Sequence, residues 1–139
     1  MRSILKILRD RRGSAAMEFA LLAPIFGLIA IGAYDFGNAV QTSMRLERAA
    51  RAGAQFALVH PRNLEGIATA ARAAWPSLTS DEVPTPTELC RCSNETVSCT
   101  STCNTGLEWT VTVTATRNIS TLMVPGLNAR SGSATVRVR

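Results

Sequence analysis

Residues 14–34 read SAAMEFALLAPIFGLIAIGAY, and these 21 residues carry a single charge, Glu18. Roughly 20 apolar residues in helical form cross the hydrocarbon core of a bilayer. The run therefore has the length of a membrane span. Asp35 closes it, and Tyr34 and Phe36 flank that position, where aromatic side chains favour the membrane interface. The residues before the run are basic. Arg2, Lys6, Arg9, Arg11 and Arg12 stand against Asp10 alone, a net of +4 out of the chain's +5. A basic segment directly before an apolar run is an export signal held on the cytoplasmic side, which sends the rest of the chain outward. The same distribution argues against a nucleic-acid partner, because no basic patch with interleaved aromatics occurs later in the chain.

The helical pattern does not stop at Asp35. Val40, Met44, Ala50, Gly53 and Ala57 recur at spacings of three to six, and Glu47 and Arg51 sit four apart on another face. One helix is expected from Ser14 to Val59, ended by Pro61. At 1.5 Å per residue it is roughly 70 Å long, about twice what a bilayer needs. Its first part, 14–34, is the membrane segment. Its second, 35–59, is an amphipathic continuation. Pro24 is either a kink or a tolerated membrane-helix proline.

Beyond it lie about 80 residues, enough only for a small core that needs staples or a supporting helix. Asn63 can cap a second helix over 64–75, with Leu64, Ile67, Ala71 and Ala74 on one face. Ser77–Glu88 reads as a linker. Over 107–116, Leu107, Trp109, Val111, Val113 and Ala115 alternate with polar residues, the period of a half-buried strand. Ala134, Val136 and Val138 repeat the pattern. The two strands should pair antiparallel, with Pro125-Gly126 and Arg130-Ser131-Gly132 as turn material between them. The expected class is α+β.

Cys90, Cys92, Cys99 and Cys103 fall within 14 residues on the exported side. An even, clustered count in an oxidising compartment reads as disulfides. The spacing lacks the C-x2-C or C-x4-C pairs of zinc sites, so no metal or other cofactor is expected. Three connectivities are open, and a nested Cys90–Cys103, Cys92–Cys99 pairing would suit a hairpin. No Ser/His/Asp set, glycine-rich phosphate loop or carboxylate pair is present, and His60, the single histidine, reads as a helix-end surface residue. The chain is not expected to be an enzyme.

The stretch Arg11-Arg12-Gly13-Ser14-Ala15-Ala16-Met17-Glu18-Phe19 carries the most specific signal. It has basic residues, a glycine, four small or medium residues, a glutamate, and a phenylalanine opening the apolar run. This resembles the cleavage motif of prepilins. Gly13 leaves the following bond unobstructed next to the membrane. Glu18 is an ionisable group about one turn inside the span, a costly and usually functional placement. Cutting after Gly13 would free an α-amine at Ser14 as its counter-charge. Residues 12–26, with Tyr34–Ala39 and Ala49–Gln55, resemble TadE-like proteins of the tight-adherence (Flp) pilus system.

That resemblance implies processing by a prepilin peptidase at Gly13, Ser14, Glu18 and Phe19, with Ser14 and Glu18 serving assembly. It implies a minor pilin or pseudopilin role, with other pilin subunits, the assembly machinery and inner-membrane lipid as partners. The chain would divide into a basic leader (1–13), the long helix (14–59) and a small exported domain (60–139). It would cross a bacterial inner membrane once, N-terminus cytoplasmic and C-terminal part periplasmic. The alternative is a signal-peptide-cleaved or membrane-anchored periplasmic binding protein, for which Ala30-Ile31-Gly32 would serve as a small-x-small cleavage site.

Overall fold

The computed structural model describes residues 14–104 and 106–138. Its elements are α1 (Ser14–Val59), α2 (Leu64–Ala74), β1 (Thr87–Cys92), β2 (Glu95–Val97), β3 (Glu108–Asn118) and β4 (Ala129–Arg137). A short 3-10 turn, Pro125–Leu127, precedes β4. The class is α+β: a long helix, a short one, and a single antiparallel sheet of order β2-β1-β3-β4.

The long helix runs unbroken over 46 residues and continues through Pro24. Its two halves have different surroundings. From Met17 to Tyr34 the large apolar side chains are exposed on every face. From Asp35 onward burial is one-sided. Asp35, Ala39, Thr42, Leu46, Ala49 and Gly53 are buried at alternating steps of four and three, and Ala50, Ala54 and Ala57 widen the stripe. Steps of four and three follow the turn of an α-helix, about 3.6 residues, and keep one seam of the helix against its neighbours. Val40 and Met44 lie off the seam and are exposed, unlike the face their hydrophobicity suggested. Most of the seam (Ala39, Ala49, Ala50, Gly53, Ala54 and Ala57) is small because β4 and α2 come close to the helix backbone. At Gly132, on β4, a methyl group would lie 2.5 Å from the carbonyl carbon of Leu46 and 2.9 Å from Cα of Glu47. At Gly53 it would meet the Ile67 carbonyl oxygen at 3.0 Å and the Ala71 methyl at 3.2 Å.

Asn63 caps α2 as its position suggests, its Oδ1 accepting from the Gly66 amide at 2.9 Å. Ile67, Ala68 and Ala71 turn inward. On β3, Trp109, Val111, Val113 and Ala115 are buried, while the threonines between them face outward. Thr112 and Thr135 hydrogen-bond across the outer face at 2.9 Å. The core lies between this inner face and the two helices, with Leu78 and Val83 closing it.

Strands β3 and β4 pair antiparallel over their length, Thr110 opposite Arg137 and Asn118 opposite Ala129. Thus Arg130-Ser131-Gly132 is not turn material: it belongs to β4. Gly132 pairs with Ala115 there because a residue with a side chain would collide with α1. The cysteine segment forms a further hairpin, β1–β2. Ser93 and Asn94 make its two-residue turn with φ of 47° and 74°, the left-handed pair that matches the twist of hairpin strands.

The disulfides are Cys90–Cys99 and Cys92–Cys103, with Cα separations of 5.1 and 5.9 Å. The bridges therefore interleave and are not nested. Cys90 stands opposite Val97, so it reaches Cys99 just past the end of β2, and Cys92, at the hairpin turn, is left for Cys103.

The linker after α2 is fastened to the sheet by Arg117. Its Nε donates to Glu82 at 2.7 Å, and its Nη2 donates to the Ser77 carbonyl at 2.6 Å. Its guanidinium also lies 4.4 Å from the centroid of the Trp75 ring. These contacts hold Glu82 below the usual carboxylate range, chiefly through the Arg117 hydrogen bond.

Candidate functional site: the exposed helix and its junction with the head

The residues expected to carry function lie at the start of α1. Gly13 and the basic segment before it are outside the described residues. Ser14 opens α1, and Glu18 and Phe19 follow about one turn later, both exposed. Phe19 is 67% exposed and Leu21 73%, and Ile25, Phe26, Leu28 and Ile29 continue the pattern around the rod. A helix that is apolar all round matches a lipid or helix-bundle environment, where a helix at a water boundary has one polar face. Among the described residues this is the one helix long and apolar enough to cross a membrane, and its most apolar 18-residue window contains no buried residue.

The junction between rod and head is built around Asp35. Its side chain is buried, and it accepts hydrogen bonds from three successive backbone amides of the β3–β4 connection. Leu122 donates to both carboxylate oxygens at 3.0 and 3.1 Å, Met123 at 2.8 Å and Val124 at 3.2 Å. These donors hold the carboxyl below its ordinary range, Leu122 first, against the opposing effect of burial. A carboxylate that accepts several backbone N–H bonds is stabilised in its charged form. Sequence reasoning treated Asp35 as the polar residue that ends the apolar run. Its partner is 87 to 89 residues away, so no local pattern announces it. The available signal was an acid between two interfacial aromatics, Tyr34 and Phe36.

An open cleft of the head is lined by Arg62, Cys99, Glu108, Trp109 and Arg137. Arg62 stands 5.8 Å from the Trp109 ring centroid, and Arg137 pairs with Glu108 at 3.1 Å. The four cysteines are all consumed in disulfides and offer no thiolate.

These features define a class: a helix-led protein with one candidate membrane span, whose apolar rod carries a small disulfide-linked α+β head. Residues 13–55 match the model of the TadE-like protein family, a family of pilus structural and assembly proteins. No curated protein and no solved structure matches the chain. The matched stretch covers the exposed rod, Asp35 and most of the buried seam, and ends before the sheet begins.

Proposed function

We propose that this chain is a minor pilin or pseudopilin of a tight-adherence (Flp-type) pilus, cut by a prepilin peptidase after Gly13 and assembled through α1. The observation that carries the reading is the coincidence of the family match over residues 13–55 with a helix that is exposed and apolar in its first half and built into the head in its second. In this reading residues 1–13 are the leader and residues 14–34 cross the inner membrane from a cytoplasmic N-terminus. The rest of the helix carries the head, 60–139, into the periplasm.

Processing changes the electrostatics of the first turn. The new amine at Ser14 sits four residues from Glu18, so the two can neutralise each other within one helix. They can equally pair between neighbouring helices. Only the second arrangement fixes an axial offset between subunits, because one register alone brings both charges together. A buried ion pair adds little net stability, but removing one partner is costly. The pair thus serves register more than strength.

The test is the mature N-terminus of protein taken from membranes, by intact mass and N-terminal sequencing. Ser14 as the first residue, with processing lost in Gly13→Leu, supports the reading. A chain that still begins at Met1, or one that begins in the thirties as a secretory signal would leave it, overturns it.

A further inference from the structure

We propose that the β3–β4 connection, Leu122-Met123-Val124, is a second membrane contact, docked into the lipid interface beside α1 and held there by Asp35. This rests on the reading that residues 14–34 span the bilayer.

Three independent features of the loop point to lipid. The first is its level along the rod. Asp35 is the residue after the apolar run, and it binds the amides of Leu122, Met123 and Val124 directly. The loop is therefore fixed where the helix leaves the hydrocarbon.

The second is its orientation. With three successive N–H groups turned onto the carboxylate, the backbone faces the helix and the side chains face away. Leu122 is 69% exposed, Met123 52% and Val124 39%. Tyr34 and Phe36, on either side of Asp35, are each 63% exposed. The patch is thus continuous with the apolar surface of the rod, which is what selects lipid as its occupant.

The third is its charge. Residues 119–128, ISTLMVPGLN, contain no ionisable side chain. Connecting loops at protein surfaces are commonly polar, since their side chains meet water. Here the amides of Leu122, Met123 and Val124 are bonded to Asp35, that of Ile119 to the Asn128 carbonyl at 2.7 Å and that of Leu127 to the Val124 carbonyl at 3.2 Å. A loop whose amides are already bonded can enter a region poor in water without stranding them. Leucine, methionine and valine then leave water for the acyl boundary, as interfacial anchors do.

The consequence is geometric. A single helix leaves its head free to rotate about the helix axis relative to the membrane. A second contact beside the helix removes that freedom and presents one side of the head to neighbouring subunits.

Photocrosslinking of the full chain in native membranes tests this, with p-benzoylphenylalanine replacing Leu28, Leu122, Met123 or Leu89 one at a time. Leu28 reports the span, and Leu89, 44% exposed on β1, reports the head. Phospholipid adducts at positions 28, 122 and 123 but not at 89 support the proposal. Adducts at 28 with none at 122 and 123, or with only protein adducts there, overturn it and leave the span standing. No lipid adduct at 28 overturns the spanning reading and this proposal together. Equal lipid labelling at 89 overturns the specificity of the loop.

Discussion

Replacing Gly132 by alanine should separate the head from the helix that supports it. A methyl group at this position would press on the backbone of α1, with the Leu46 carbonyl carbon at 2.5 Å and Glu47 Cα at 2.9 Å. Real Cβ atoms do not approach other heavy atoms so closely, so either β4 or α1 must move. Neither yields easily. On one side Gly132 is held in register opposite Ala115. On the other, Leu46, Ala49 and Ala50 are fully buried along the same seam. Overpacking of a well-filled core costs about 1–3 kcal/mol. The atoms met here are backbone and cannot rotate away, which puts the cost near the upper end, at about 3 kcal/mol. For a unit of this size that is a fall in Tm of roughly 10–20 °C. The assay is thermal unfolding of the full chain in detergent, followed by near-ultraviolet circular dichroism of Trp75 and Trp109. Gly126→Ala is the control, because a methyl group there meets nothing within 4 Å. It should change stability by less than about 0.5 kcal/mol. If Gly132→Ala melts within ~3 °C of the parent chain, the helix and sheet are not in the tight contact argued above.

The two disulfides close loops with sequence separations of 9 and 11 residues, and each should stabilise the head by about 2–3 kcal/mol; peptide mapping without reduction should recover Cys90 with Cys99 and Cys92 with Cys103, and uptake of an alkylating reagent by unreduced protein would contradict the pairing. Glu82 titrates lower when folded than when unfolded, so its contribution is complete above the ordinary glutamate range and is lost as pH falls from about 4.3 through the folded value. Glu82→Gln should flatten that acid limb and cost about 1 kcal/mol at neutral pH, measured by urea unfolding across pH; an unchanged acid limb would refute the assignment. Glu18→Gln should still insert and still be processed, yet fail to cross-link to partner pilins from its first helical turn. Glu18→Asp should be intermediate, and normal cross-linking by processed Glu18→Gln would leave Glu18 a recognition element for the peptidase alone.

Local signals carried much of this architecture. The unbroken helix, the Asn63 cap, the alternation of Trp109 to Ala115 and the antiparallel partner of that strand all depend on residues near one another or on a repeating period. The apolar run of residues 14–34 was equally legible, and the family match falls on the stretch that contains it. Strand β1 was not legible. Thr87–Cys92 reads TELCRC, with no run of alternating apolar residues, and it is a strand because β3 offers it an edge and Cys90 turns into the core. The start of β4 was hidden for a related reason: Arg-Ser-Gly is turn chemistry in isolation, and only the helix lying against Gly132 makes glycine a strand residue there. Which cysteines join was decided by where the hairpin puts them, not by their spacing. The role of Asp35 lies furthest from sequence reasoning. Its charge and position could be read at once, but its ligands are three backbone amides, which every residue except proline possesses. Backbone donors leave no trace in side-chain identity, so only the folded chain, by bringing Leu122, Met123 and Val124 to the end of the apolar rod, could assign them to it.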